Sequence, residues 1–137
     1  MRVELVPLNT VHLVWSQVEN YFKEAVTKSV GEYNVEHLKA HVVAGMQTLY
    51  IAIDEKEGTI KGGSIVNFVN YPNFRVAYIT ATGGNMIVND DTWNNLANLL
   101  KQAGATRCHA CASEAATRLY KSKIGFKKIY NTVERIL

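Results

Sequence analysis

The sequence predicts an α/β (α+β) fold, with a mixed, mostly antiparallel central sheet and helices on both of its faces. Three observations support this fold class. The chain has 137 residues, the length of one domain, so we expect a single domain over residues 1–137. Its middle part contains three strand patterns separated by short polar turns, which is typical of an antiparallel meander. Strand and helix patterns then alternate toward the C-terminus, as in strand–helix–strand units.

The N-terminal part of the chain predicts one short strand and two helices. The strand pattern covers Val3–Val6. Thr10 can cap a long helix, whose apolar residues recur at intervals of three and four positions until Gly31 closes it. Asn34 can cap a second, shorter helix that ends at Gly45. The apolar positions are Val11, Val14, Trp15, Val18, Phe22, Ala25 and Val26 in the first helix and Val35, Leu38 and Val42 in the second.

Three strands form the predicted meander. They cover Leu49–Ile53, Thr59–Asn70 and Phe74–Thr82, and turn-forming residues separate them. Gly62 and Gly63 interrupt the second of these strands, which predicts a β-bulge or a close approach of another backbone.

The C-terminal part predicts two helices alternating with two strands. Asp90 or Asp91 can cap the first helix, and a strand follows at Thr106–Ala112. Ser113 can cap the second helix, and Phe126–Leu137 is predicted to be a final strand. The predicted order of elements is therefore β-α-α-β-β-β-α-β-α-β.

The C-terminal third of the chain is basic. Residues 101–137 contain eight Lys and Arg residues and two Asp and Glu residues. Residues 1–100 contain seven Lys and Arg residues and ten Asp and Glu residues, and the net charge of the whole chain is +3. A basic region can attract the phosphates of a nucleotide cofactor or of nucleic acid. The alternative is a solvated basic face that binds no ligand. No nucleic-acid motif accompanies it, so nucleic acid is not an expected partner.

The apolar pattern argues against membrane and secreted classes. The apolar runs are only a few residues long, too short for a membrane-spanning helix. The first residues lack the apolar core of a signal peptide. With two cysteines and no export signal, we expect a reducing cytoplasmic compartment and no membrane partner.

The element order and one motif together resemble the GNAT superfamily of N-acetyltransferases. The motif is Leu119-Tyr120-Lys121-Ser122-Lys123-Ile124-Gly125-Phe126, which is similar to the L-Y-x-x-x-G-F sequence at the end of the last GNAT helix but has four residues instead of three between Tyr120 and Gly125. The pair Gly62-Gly63 is a second match. The resemblance implies transfer of an acetyl group from acetyl-CoA to an amine acceptor by direct attack. GNAT proteins often dimerise, so the resemblance leaves a homodimer open.

The resemblance also implies a binding place for acetyl-CoA. In the family, the fourth strand diverges from the fifth, and the pantetheine arm bonds to the backbone of the fourth strand. The pyrophosphate lies over the loop that follows, where helix N–H groups favour anions. The residues that this implies here are Ile79, Thr80, Ala81 and Thr82 for pantetheine and Gly83, Gly84 and Asn85 for the pyrophosphate.

The predicted phosphate loop departs from the family pattern. GNAT members usually have Q/R-x-x-G-x-G/A there, whereas this chain has no arginine and one adjacent glycine pair. Asp90 and Asp91 also put carboxylates at the start of the next helix. A carboxylate about 4 Å from a phosphate charge costs about 1 kcal/mol in water and about 4 kcal/mol near a protein surface. As helix caps, the same residues are stabilising.

An alternative function follows from this loop. Its Ala-Thr-Gly-Gly sequence, the Trp-containing helix after it and the closing Thr132–Leu137 segment resemble a GNAT-like subset common in bacteriophage genomes. Some of those proteins are virion components. The alternative is a non-catalytic phage structural or assembly protein with lost or altered CoA binding, a phage protein partner, and a location in the host cytoplasm or the virion.

Tyr120 is the catalytic residue that the resemblance implies. In many GNAT enzymes this tyrosine protonates the departing CoA thiolate, and a phenol with a pKa of about 10 can give a proton to a thiolate of pKa about 8.5. The structural alternative is a ring that packs on the core. No general base stands out: His109 is a candidate, and a chain of water molecules could substitute.

Two further patterns point to chemistry but are incomplete. Cys108 and Cys111 form a C-x-x-C pair, yet a zinc site needs two more ligands, and i, i+3 residues of a strand face opposite sides. His37 and His41 share a helix face, but Leu38 stands where a zinc protease has glutamate. We predict no metal site, and two buried cysteines that act as small apolar residues.

Overall fold

The computed structural model describes residues 1–86 and 90–137. The order of elements predicted from the sequence is confirmed through the last helix, and a short 3-10 helix at Leu8–Thr10 precedes the first α-helix. The elements are β1 (Arg2–Leu5), α1 (Val11–Thr27), α2 (Val35–Val43), β2 (Thr48–Asp54), β3 (Thr59–Asn70), β4 (Arg75–Gly84), α3 (Asp90–Gln102), β5 (Arg107–Ala110) and α4 (Glu114–Ile124).

The five strands form one sheet in the order β1-β2-β3-β4-β5. The pairs β1–β2, β2–β3 and β3–β4 are antiparallel, whereas β5 pairs parallel to β4, from Val76 opposite Arg107 to Ile79 opposite Ala110. The predicted mixed, mostly antiparallel sheet is therefore confirmed. The last paired strand is shorter than predicted, because its regular part ends at Ala110 rather than Ala112.

Two apolar clusters hold the helices against opposite faces of this sheet. Helices α1 and α2 pack on one face through buried residues such as Phe22 and Leu38, and α3 packs on the other through Leu96 and Leu100. Fully burying an apolar side chain of this size stabilises the fold by about 1.5–3 kcal/mol. No helix in the described ranges is both long and apolar enough to cross a membrane.

Close backbone packing explains the glycine pair of β3. A Cβ atom on Gly63 would lie 2.9 Å from the Phe22 ring, and one on Gly62 would lie 2.8 Å from the carbonyl oxygen of Gly83. The register between β2 and β3 also shifts beside them, at Ala52. The sequence prediction of a bulge or a close approach is confirmed, since both occur.

The predicted final strand, Phe126–Leu137, is wrong for this structure. After Gly125 ends α4 in a left-handed conformation (φ 78°), the remaining residues have no regular secondary structure. Val133 is 90% exposed and Leu137 is 112% exposed. The physical reason is that a strand pattern forms a strand only where a neighbouring edge accepts its hydrogen bonds, and this segment does not lie against one.

Candidate active site

Strand β4 extends well past the end of β5. The last β4–β5 pair is Ile79 with Ala110, whereas β4 remains paired with β3 as far as Gly84. From Thr80 onward, the β5-side edge of β4 therefore has no strand partner among the described residues. Its backbone N–H and C=O groups are free to bind an extended ligand, as an added strand would.

A β-bulge lies where this free edge begins. Val66 pairs with Ile79 and Ile65 pairs with Ala81, so Thr80 is an extra residue in β4. A bulge bends the strand and changes the direction in which side chains point. Consequently Thr80 and Ala81, which are consecutive, both line one cavity on the α1–α2 face of the sheet.

The cavity beside the bulge is small, about 60 Å³. Glu32 and Tyr33, from the segment between α1 and α2, lie at it opposite Tyr78 of β4. It is therefore the place where the α1–α2 connection and the free edge of β4 come together. The complete lining is Ala25, Val26, Ser29, Glu32, Tyr33, Leu38, Tyr78, Thr80 and Ala81.

A buried amide fixes the Thr80 side chain. The Thr80 hydroxyl donates a hydrogen bond to Gln47 Oε1, and Gln47 Nε2 lies 3.1 Å from His41 Nδ1. Gln47 is only 4% exposed, so an unpaired amide there would be costly. Because its oxygen accepts from Thr80, its nitrogen must donate to His41. This chain ties α2 to the bulge of β4.

Tyr78 of β4 is hydrogen-bonded to Cys111, the residue that directly follows β5. The Tyr78 hydroxyl donates to Cys111 Sγ at 3.0 Å. Burial, followed by this hydrogen bond, raises the pKa of Tyr78, so the phenol is neutral at physiological pH. Burial alone raises the pKa of Cys108 to about 12. The prediction of two buried thiols holds for the partly buried Cys108 and is wrong for Cys111, which is exposed.

Tyr120 lies on the other side of the sheet from the cavity. It packs on the α3-side cluster, which also contains Ile79 and Ala110, the last pair before the strands diverge. Its ring lies 5.7 Å from that of Phe126. Burial raises the pKa of Tyr120, which keeps its phenol protonated. The hydroxyl makes no hydrogen bond to another residue of the described ranges.

The glycines at the end of β4 serve packing. A Cβ atom on Gly83 would lie 2.8 Å from both the Cβ atom and the carbonyl oxygen of Tyr21 in α1. Gly84 has a φ of 66°, which favours glycine. The Asn85 N–H already donates to the carbonyl oxygen of Lys61 at 2.9 Å. Of the predicted phosphate-binding residues, Asn85 therefore has no free backbone N–H.

The start of α3 is negatively charged. Asp90 and Asp91 are both exposed in its first turn, as the sequence suggested. Residues 87–89, which connect β4 to this helix in the predicted phosphate loop, lie outside the described residues. At the end of β4, the Thr82 hydroxyl lies 2.7 Å from the Ser64 hydroxyl in β3.

The histidines do not form a metal site in the described part of the chain, where no three His, Cys, Asp or Glu residues cluster. His37 instead caps α2: its Nδ1 accepts from the Asn34 N–H, and the Asn34 side chain accepts from the His37 N–H. His109, the candidate base, lies on β5 with its ring against Phe74, outside the lining of the cavity.

Comparison with known structures identifies the fold. No protein-family model and no curated protein sequence matches the chain. A solved structure described as a probable acetyltransferase superposes with a TM-score of 0.70 at 18% sequence identity, covering 100% of this chain and 97% of the other. The chain has a GNAT acetyltransferase fold.

Two further GNAT-fold structures are similar over nearly the whole chain. A ribosomal-protein-alanine N-acetyltransferase from Brucella melitensis biovar Abortus 2308 has a TM-score of 0.67 and 12% identity, covering 99% of this chain and 100% of the other. A predicted acetyltransferase from Clostridium acetobutylicum, crystallised with acetyl-CoA, has a TM-score of 0.63 and 14% identity, covering 98% and 95%. At these identities the likeness establishes the fold.

Sequence reasoning missed the part of this site that lies on the α1–α2 face of the sheet. Gln47 and Glu32 belong to no motif, and no local pattern in the sequence distinguishes them. The sequence did indicate Thr80, but the partner of Thr80 lies between α2 and β2, and the partner of its neighbour Tyr78 lies after β5.

Proposed function

We propose that this protein is an acetyl-CoA-dependent N-acetyltransferase that transfers the acetyl group to an amine by direct attack. The observation that carries the proposal is the free edge of β4 from Thr80 onward. One end of this edge adjoins a small cavity on the α1–α2 face, and the cluster around Ile79 on the opposite face contains Tyr120. The fold shared with acetyltransferases supports the same function.

The free edge of β4 is the proposed binding place of the pantetheine arm. Ile79, Thr80, Ala81 and Thr82 hold the arm through their backbone groups, in the position that a neighbouring strand would occupy. Gly83, Gly84 and Asn85 bring the chain toward the pyrophosphate, and the helix start that follows supplies favourable N–H groups. This arrangement leaves the thioester near the end of β5.

The cavity is the proposed entrance of the acceptor amine. Its volume of about 60 Å³ suits a narrow group such as a primary amine at the end of a chain. Glu32, the one carboxylate among the described lining residues, attracts the cationic form of such a group. Tyr33 and Tyr78 also line the cavity, and aromatic rings attract cations.

The bound cationic amine first loses one proton to water at the cavity mouth, which frees its lone pair. The reaction of the neutral amine then needs one proton acceptor and one proton donor. The amine nitrogen attacks the thioester carbonyl carbon, the C–N bond forms and the C–S bond breaks. Tyr120 gives its phenolic proton to the departing sulfur, for which the protonated state favoured by its raised pKa is the required one. The proton of the amine passes to water at the cavity mouth, and solvent reprotonates the tyrosinate.

The test begins with binding. We expect about 1 mM acetyl-CoA to raise the thermal unfolding midpoint by several degrees, because a ligand at about 100 times its Kd stabilises by about 2.7 kcal/mol. Acetylation is then measured as thiol release with a panel of primary amines. Dephospho-CoA and pantetheine serve as matched ligands that separate phosphate contacts from contacts to the arm. A shift followed by amine-dependent thiol release supports the proposal.

The second candidate is the non-catalytic GNAT-like phage structural or assembly protein. Two observations favour it: the carboxylates of Asp90 and Asp91 at the start of α3, and the Asn85 N–H that is already bonded to Lys61. A folded protein that shows no thermal shift with acetyl-CoA would support this candidate and contradict the first one.

A further inference from the structure

The Thr80 hydroxyl lies at the cavity and uses its proton for a bond within the protein. It donates that proton to Gln47 Oε1, and this is its one hydrogen bond within the described ranges. A hydroxyl group has a single proton to donate and two lone pairs that accept. Thr80 lines the cavity on the α1–α2 face. Toward a molecule in the cavity, this hydroxyl therefore acts as an acceptor only.

The orientation of the Gln47 amide decides this polarity. With Oε1 toward Thr80, Nε2 lies 3.1 Å from His41 Nδ1, and an amide nitrogen can only donate. His41 must then carry its proton on Nε2. The reversed amide would need a proton on His41 Nδ1, and its nitrogen would donate to Thr80. The Thr80 proton would then be free to point into the cavity.

The same chain of contacts reaches the opposite wall of the cavity. The His41 ring meets the Tyr33 ring edge-on, with centroids 5.5 Å apart and an interplanar angle of 82°. Tyr33 itself lines the cavity. Because Gln47 is buried, water cannot easily replace either of its partners. Thr80, Gln47, His41 and Tyr33 thus form one connected support behind the cavity.

An acceptor hydroxyl suits an amine that attacks a carbonyl carbon. A neutral amine attacks through its nitrogen lone pair, so that lone pair must stay free. A hydroxyl that donated to the nitrogen would occupy the lone pair. A hydroxyl that accepts from an N–H leaves it free and directs it away from Thr80, because the bonds and the lone pair of the nitrogen are arranged tetrahedrally. Orientation of this kind is a large part of enzymatic rate enhancement.

We propose that the Thr80 hydroxyl binds the acceptor amine by accepting a hydrogen bond from its N–H, and that Gln47 and His41 are positioning residues that keep this hydroxyl an acceptor. The inference rests on the proposed N-acetyltransferase function and deepens it. It gives the Thr80 side chain a role beside that of its backbone, which faces the pantetheine arm. Glu32 attracts the cation, and Thr80 orients the nitrogen once one proton has left.

The first experiment does not depend on catalysis. Long-range ¹H–¹⁵N spectra of the unliganded protein at about pH 8 report which ring nitrogen of His41 carries the proton. The variant His41→Gln, which lacks these signals, assigns them. We expect the proton on Nε2, with Nδ1 accepting from Gln47. A proton on Nδ1 would mean the reversed amide and would overturn the proposal, whether or not the protein transfers acetyl groups.

The second experiment measures the polarity of the cavity with two small probes. n-Butylamine carries N–H donors, whereas the nitrogen of butyronitrile only accepts. Titrations followed by NMR give the Kd of each probe, and we expect wild-type protein to prefer n-butylamine. In Gln47→Leu the Thr80 proton is released, so this preference should fall at least about fivefold in a variant whose spectrum shows it to be folded. An unchanged preference, or no binding of n-butylamine to the wild type, overturns the proposal.

A matched pair of variants isolates the hydroxyl oxygen. Thr80→Val keeps the shape of the side chain and removes the oxygen, so we expect the Kd of n-butylamine to rise about five- to tenfold. Thr80→Ser keeps the hydroxyl and should restore most of the affinity. Equal losses in both variants, or none in Thr80→Val, contradict the role of the hydroxyl. Wild-type protein that binds n-butylamine as expected but releases no thiol from acetyl-CoA would support this role and contradict the proposed function.

Discussion

Tyr120 and Tyr78 differ in what their hydroxyl groups can do. Burial raises the pKa of both phenols, so both are neutral donors. The Tyr78 hydroxyl donates to Cys111 Sγ, whereas the Tyr120 hydroxyl makes no hydrogen bond to another described residue. A donor without a partner is available to a departing sulfur atom. This difference favours Tyr120 as the acid of the proposed reaction.

The first prediction concerns the Tyr120 hydroxyl. We expect Tyr120→Phe to lower the rate of acetyl transfer by about 10²-fold or more, because general acid catalysis contributes about 10²–10⁴-fold. The Kd of acetyl-CoA, measured by calorimetry, should change little, since the ring stays packed against Phe126. Single-turnover measurements isolate the chemical step.

Tyr71→Phe is the matched control for this substitution. Tyr71 is 52% exposed at the turn between β3 and β4 and lies outside the site, so loss of its hydroxyl should leave the rate unchanged. Full single-turnover activity of Tyr120→Phe would rule out the proposed role.

At the scale of elements, the start of α3 combines two opposing effects. Asp90 and Asp91 stabilise the helix by about 0.3–1 kcal/mol each through its dipole. The same carboxylates repel a phosphate nearby, by about 1 kcal/mol for a charge about 4 Å away in water. Helix stability and phosphate binding should therefore respond to these residues in opposite directions.

The second prediction uses this opposition. The double variant Asp90→Asn, Asp91→Asn should bind acetyl-CoA at least about fivefold more tightly, since about 1.4 kcal/mol corresponds to tenfold. Its unfolding midpoint without ligand should fall slightly. Glu114→Gln removes one exposed carboxylate at the start of α4 and is the control for charge alone. Unchanged or weaker affinity of the double variant would show that α3 does not receive the phosphates.

At the scale of the whole molecule, the α3-side core carries groups whose ionisation is unfavourable. Burial raises the pKa of Tyr50 and Tyr120 above the ordinary value of 10.0, and that of Cys108 from 9.0 to about 12. A raised pKa in the folded state means that the neutral form is favoured there. The contribution of these groups to the free energy of unfolding is fully present at a pH below their ordinary pKa values. It is lost as the pH rises toward their pKa values in the folded state.

The third prediction follows from this linkage. We expect the urea midpoint of unfolding to fall as the pH rises from about 9 toward about 12, because the unfolded Cys108 thiol ionises in that range and the folded one does not. Cys108→Ala should be less stable at neutral pH but should lose less stability over the same range. Parallel pH profiles of the two proteins would contradict the assignment to Cys108.

Local patterns determined most of the elements in advance. The apolar spacing of α1 and the cap at Asn34 follow from sequence neighbours, and both are confirmed. These helix features are local, because helix periodicity and capping depend on a few adjacent residues. The pair Gly62-Gly63 correctly predicted a close approach, although its partners Phe22 and Gly83 are distant in sequence. The binding role of Ile79, Thr80, Ala81 and Thr82 in β4 follows from the family resemblance and stays a prediction.

Long-range contacts decided the rest. Thr80 meets Gln47 and Tyr78 meets Cys111 across 33 residues of chain in each case, a separation that no local pattern reports. The end of β5 at Ala110 sets where the edge of β4 becomes free. Residues 126–137 have a strand pattern but pair with no edge among the described residues. By itself the sequence determined which residues can form strands and helices; the tertiary structure decided which edges are paired, because a strand's hydrogen bonds require a neighbour that its own sequence does not contain.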